Sequence, residues 1–157
     1  MRIVHYPHPT LRETAQPVTE IDDTLRQRVE EMFRLMEEAR GVGLAAPQVD
    51  WSVRLFLASP SGQPREDGKV YINPRIVKRM GKRIVEEEGC LSLPGIQLRM
   101  ERHERVRVRA YDLQGQEIDV ATTVLAARPP VGTHAMPLLQ LPLVLMVPKT
   151  SPIRSAR

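Results

Sequence analysis

No long helix can run through the segment from Ala121 to Arg157. Prolines stand at 129, 130, 137, 142, 148 and 152, six of the chain's 14 within its last 37 residues. Proline removes a backbone donor and clashes with the preceding helical turn. The segment also has no Asp or Glu and no sustained helical or strand period. Solvated linkers are polar and core elements are periodic, and this stretch is neither. It is read as an irregular, Pro-rich, acid-free tail, so the ordered fold must come from residues 1–120.

The 157 residues suit one core, with 41 % apolar and 27 % charged residues. A single cysteine excludes a disulfide framework and fits a reducing compartment. The N-terminus MRIVHYPHPTLRETAQPV has no apolar h-region. The longest apolar stretch, LLQLPLVLMV (138–147), is about half a membrane span and contains Pro142. The chain is read as cytoplasmic, with no membrane partner. Its net charge of +4 sits in the tail, in Arg128, Lys149, Arg154 and Arg157, which leaves 19 bases against 19 acids elsewhere. A scattered excess of this size is weak support for a phosphate-binding face. No direct nucleic-acid partner is expected.

Residues 1–18 read as an irregular arm. Leu25, Val29, Met32, Phe33 and Met36 then recur at spacings of three and four, predicting an amphipathic helix over about 22–40. Asp22 or Asp23 caps its start, and Gly41 stands where it should stop. VRLFLA (53–58), KVYINPRIV (69–77, broken at Pro74) and KRIVEEEG (82–89) read as strands, with PSGQPREDG (60–68) as a loop. ERVRVRAYDL (104–113) alternates, with Val106, Val108 and Ala110 on one face and Arg105, Arg107 and Arg109 on the other. The arginine run is expected to be the solvated face of a strand rather than a binding patch. Gln114-Gly115 predicts a turn into QEIDV (116–120). One helix followed by many strands is an α+β pattern with an antiparallel or mixed sheet.

Two stretches carry chemistry. GVGLAAPQV (41–49) combines glycines that let backbone approach closely, small Ala45 and Ala46, and the Gln48 amide. The alternative is a helix cap and tight turn. In EGCLS (88–92), Cys90 follows a strand, between a glycine and Leu91-Ser92. A thiolate there can bind metal or attack a carbonyl; otherwise Cys90 fills a small apolar gap.

Together these stretches resemble the peptide deformylase family, in order, over residues 1 to about 120. GVGLAAPQV resembles its first motif GxGLAAxQ, EGCLS its second, and YINPRIV and RVRVRAYDLQGQ flank them as expected. The resemblance implies a peptide-deformylase-like α+β fold, one N-terminal helix packed on antiparallel or mixed sheets. It implies removal of the N-formyl group from the N-terminal Met of nascent polypeptides, with formyl-Met chains and the ribosome as partners. The implied cofactor is a divalent metal, usually Fe(2+), which activates water by lowering its pKa to around 7. By resemblance Cys90 is a metal ligand. The Leu91 N–H and the Gln48 side chain stabilise the oxyanion, and Gly43 lets substrate approach the backbone.

The family's third motif, HExxH on a helix, supplies two metal ligands and the general base. It is absent here. His103-Glu104-Arg105-Val106-Arg107 ends in arginine and lies in a strand pattern, where residues i and i+4 are about 13 Å apart. His5 and His8 belong to the arm, and His134 is followed by Ala135. One ligand cannot close a metal site. The expectation is a chain without stoichiometric metal, inactive as written, whose C-terminal catalytic helix is missing or replaced. The alternatives are a non-catalytic deformylase-like binder of peptide or ribosome, or a product whose frame shifts at about residue 121. A cysteine-nucleophile hydrolase would need a histidine near Cys90, and no spacing offers one.

Overall fold

The structure is a computed structural model that describes residues 1–123. One helix, α1 (Asp23–Glu38), lies against a five-stranded antiparallel sheet. The strands are β1 (Gly43–Ala45), β2 (Leu55–Ala58), β3 (Lys69–Cys90), β4 (Leu93–Tyr111) and β5 (Glu117–Thr123). Each pairs with its neighbour in sequence, in the order β1-β2-β3-β4-β5. This is the α+β architecture expected from the sequence. Calls on residues beyond 123, including the proline breaks and His134, lie outside the described residues.

α1 forms where the apolar period predicts it. Asp22 is the cap, and its carboxylate accepts the Leu25 N–H at 2.7 Å. The stop differs from expectation. Arg40, not Gly41, takes the left-handed conformation, at φ +52°. The Gly41 N–H bonds the Met36 carbonyl at 2.8 Å and the Arg40 N–H bonds Glu37 at 2.9 Å, the two bonds of a Schellman ending. A side chain at positive φ costs about 1 kcal/mol. Arg40→Gly is therefore expected to raise stability by up to about 1 kcal/mol, read as a higher urea midpoint. A lower midpoint would contradict that account.

Leu25, Val29, Met32 and Met36 pack with Leu44, Leu55, Leu57, Val70 and Ile72 into the main core. The opposite sheet face holds a smaller cluster of Ala58, Tyr71 and Ala110 with Phe56, Ile118 and Val120. Phe56 and Tyr71 stack there, with ring centroids 4.6 Å apart.

The strand expectations need three corrections. The two segments expected at 69–77 and 82–89 are one strand, β3. The Pro74 break is a register shift between the pairs Ile72–Tyr111 and Arg75–Arg109. Proline is tolerated at such a bulge because no ladder donor is needed there. Arg54 Nη2 donates to the Pro74 carbonyl at 2.8 Å, and the Asn73 N–H donates to Arg54 at 2.7 Å. β4 starts at Leu93, eleven residues before the alternation at 104. The loop expected at 60–68 contains a short helix, α2 (Pro64–Asp67). The predicted turn at Gln114-Gly115 is present, with Gly115 at φ +76° and Asp112 Oδ1 accepting the N–H groups of Gln114 and Gln116. Among the described residues no helix is long and apolar enough to cross a membrane.

The arm is more ordered than an irregular segment implies. It holds a short 3-10 turn (Pro9–Leu11) and a cis Tyr6–Pro7 bond. Its Val18 backbone is held by Asn73, whose side chain accepts the Val18 N–H and donates to the Val18 carbonyl, both at 2.8 Å.

Candidate functional site

The site is built from two turns and the arm. β1 leads directly into a 3-10 turn, Ala46–Val49, which places Gln48 under the end of its own strand. Gln48 is 1 % exposed. Its Oε1 accepts the Ala45 N–H at 2.9 Å. That bond fixes the amide's orientation, because only the oxygen can accept. The Nε2 then faces the other way, 3.3 Å from Ser92 Oγ and 3.6 Å from Cys90 Sγ.

Cys90 ends β3 at the last of four register shifts in the β3–β4 pairing, between the pairs Gly89–Gln97 and Cys90–Leu93. A bulge re-aims a side chain, and here the thiol meets the Gln48 amide. The thiol is free and half-buried. Leu91 and Ser92 make the turn into β4, and Leu91 packs against the main core. A Cβ on Gly41 would lie 2.7 Å from Leu91 Cδ1, so a side chain at 41 displaces Leu91. Just before the turn, Arg102 grips Glu88 with two hydrogen bonds of 2.9 and 2.8 Å, bracing β3 to β4. The arm closes the arrangement. The Val4 N–H donates to the Gln48 carbonyl at 2.8 Å and the Tyr6 N–H to the Ser92 carbonyl at 3.0 Å.

Of the residues singled out from sequence, Gln48 and Cys90 touch and Leu91 adjoins them. Gly43 lies on β1, buried and paired with Ala58, at the edge of the sheet. Ser92 was missed. It is 3 % exposed and engages the Gln48 amide. The signal was a hydroxyl inside the EGCLS motif itself.

The metal ligands do not assemble among the described residues. No group of three His, Cys, Asp or Glu side chains able to hold a metal occurs there. The neighbours of Cys90 are an amide and a hydroxyl, poor partners for a transition metal beside a soft thiolate. His5 is exposed and His8 lies 3.7 Å from Asp50 Oδ1. His103 is on β4 opposite Arg83, ten residues along the strand from Leu93, roughly 30 Å away. The donor set present does not fit a three-ligand site.

The polypeptide deformylase family model matches residues 1–134, most of the chain. The chain belongs to this family. A peptide deformylase of Rhodopirellula baltica is 43 % identical over 130 residues, covering 82 % of this chain and 64 % of that protein. One from Thermodesulfovibrio yellowstonii is 39 % identical over 157 residues, covering 98 % of this chain and 91 % of that protein. Among solved structures, the peptide deformylase of Legionella pneumophila is similar at a TM-score of 0.75 and 38 % identity, covering 78 % of this chain and 71 % of that one. That of Thermotoga maritima gives 0.73 and 36 %, covering 78 % and 80 %. This deformylase-family chain thus keeps the first two motifs in contact, through Gln48, Cys90 and Ser92, and its sequence lacks the third.

Proposed function

We propose that this chain retains the peptide-binding, oxyanion-donor side of a deformylase site and does not hydrolyse formyl-peptides as written. The observation that carries this reading is the Gln48–Cys90–Ser92 cluster, with no group of three His, Cys, Asp or Glu side chains able to hold a metal among the described residues. No HExxH occurs in the 157 residues, so the general base of the family is also missing. β1 is an edge strand, and a peptide can add to it through backbone hydrogen bonds. Gly43 admits that approach. The Gln48 Nε2 donates to Cys90 Sγ and Ser92 Oγ, and a formyl oxygen that displaces the long thiol contact would accept the same N–H. The proposed ligands are N-formylmethionyl peptides, met in the cytoplasm at the ribosome. Residues 1–120 form the deformylase-like unit in this reading, with the tail outside it.

The test is calorimetric titration with a formyl-Met-Ala-Ser peptide, beside a formate-release assay after anaerobic incubation with Fe(2+). Binding without formate release is expected, with metal well below one per chain. Cys90→Ala is expected to leave the metal content unchanged. Formate release by a chain with stoichiometric metal would overturn the reading.

A second reading rests on the loss of acids, periodicity and motif at about residue 121. It makes the segment that follows a frame-shifted or misjoined end of an active deformylase. Re-sequencing the coding DNA from codon 110 through the stop decides. An HExxH in another frame soon after codon 120 supports the second reading, and its absence removes it.

A further inference from the structure

Counted along the sequence, the charges of residues 1–120 balance; sorted by sheet face, they do not. Residues directly opposite each other in an antiparallel pair project to the same side. Arg75 stands opposite Arg109, and Lys78 opposite Arg107. Met80 stands opposite Arg105, and Arg83 opposite His103. Arg105, Arg107 and Arg109 alternate along β4 and therefore share that face. Its carboxylates are Glu87, which stands opposite Arg99, Glu101, which pairs with Arg83, and Glu117 and Asp119 on β5, which pair with Arg107 and Arg109. Among the described residues no carboxylate lies within ion-pair distance of Arg75, Lys78 or Arg105, and all three are exposed.

Like charges set directly opposite each other destabilise a sheet. Glu117 and Asp119 relieve Arg107 and Arg109, but no carboxylate relieves Arg75 and Lys78 opposite them, and such a departure from a local rule marks a functional surface. We infer that this face of β3, β4 and β5 is a docking surface for the phosphate backbone of RNA. The inference is independent of the deformylase reading.

Two features favour RNA over other polyanions. Four of the five cations in the two like-charge pairs and at Arg105 are arginines, whose planar fork suits bidentate phosphate contacts. The middle of the face has no aromatic or large aliphatic side chain apart from the half-buried Met80, so it lacks the apolar wedge of a membrane-binding surface. The cations also form a bounded patch. Glu87 follows on this face toward Cys90, opposite Arg99, whereas Glu86 and Glu88 project to the other face, where Arg102 holds Glu88.

The experiment is fluorescence anisotropy of a fluorescein-labelled 20-nucleotide oligo(U) RNA with the intact chain over a NaCl series. The combined variant Arg75→Gln, Lys78→Gln, Arg105→Gln is expected to weaken binding at least about tenfold at 0.1 M salt. It should lower the log–log salt slope by about 2. It removes both like-charge pairs and is expected to fold, as circular dichroism checks; Lys78→Gln alone gives a smaller loss in the same direction. The combined tail variant Arg128→Gln, Lys149→Gln, Arg154→Gln, Arg157→Gln is expected to bind nearly as the parent does. Unchanged binding by the face variants overturns the proposal. So does an equal loss in the tail variant, an absence of binding at low salt, or tighter binding to phosphatidylserine vesicles or polyglutamate than to RNA.

Discussion

Replacing Asn73 by alanine is expected to destabilise the fold by about 3 kcal/mol. Three effects add at this residue. Its side chain both donates to and accepts from the Val18 backbone, at 2.8 Å each, and each bond is worth about 1 kcal/mol net. Its φ of +50° is tolerated by asparagine and costs alanine about another 1 kcal/mol. Asn73→Gly removes the bonds without the strain and should cost about 2 kcal/mol. Asn73→Asp keeps the acceptor for the Val18 N–H but sets a carboxylate against the Val18 carbonyl, and should fall at or below the glycine value. Urea unfolding of the three variants checks the order. Equal costs for alanine and glycine would remove the backbone contribution from this account.

Gln48→Leu is expected to cost about 2–4 kcal/mol despite its similar shape. It leaves the buried Ala45 N–H without the acceptor that now lies 2.9 Å away, and leaves the buried Ser92 hydroxyl without its amide partner. Gln48→Glu separates the two losses, since a carboxyl oxygen still accepts from Ala45. Burial raises the pKa of that carboxyl in the folded state above the unfolded value of about 4.3. The unfolded chain then releases its proton first. Stability of Gln48→Glu is therefore greatest below about pH 4 and falls as pH rises from there to the folded pKa. Thermal unfolding from pH 3.5 to 8 reads this directly. A Gln48→Glu curve parallel to that of the parent would mean the site is wetter than its 1 % exposure implies.

What was legible in the sequence was local. The period of Leu25, Val29, Met32 and Met36 gave the helix, and the Val106–Val108–Ala110 alternation gave the C-terminal half of β4. The first half of β4 was overlooked: Ile96, Leu98 and Met100 alternate there with Gln97, Arg99 and Glu101, but the Pro94-Gly95 pair before them reads as a turn and none of the three is buried. Pro74 was misread as a strand end because a bulge, fixed by Arg54 and Asn73 from other elements, absorbs it. The motifs named Gln48, Leu91 and Cys90 through resemblance. No spacing could place Nε2 of residue 48 beside Sγ of residue 90, since that contact depends on both register and bulge. The sorting of bases onto one face was equally hidden, because a chain-wide count does not register strand pairing.

The sheet's strand order also bears on the sequence of events in folding. Every strand pairs with the one before it, so the sheet can grow by successive hairpins with short loop closures. The arm's contacts span far more chain: Val18 to Asn73, Val4 to Gln48 and Tyr6 to Ser92. Contacts that close such long loops with few apolar groups belong on the native side of the barrier. Substitutions that loosen the arm, Asn73→Ala among them, should therefore quicken unfolding and leave the refolding rate nearly unchanged. The arm would be the last part of the described fold to find its place, and the Gln48–Ser92 site would lock only when it does.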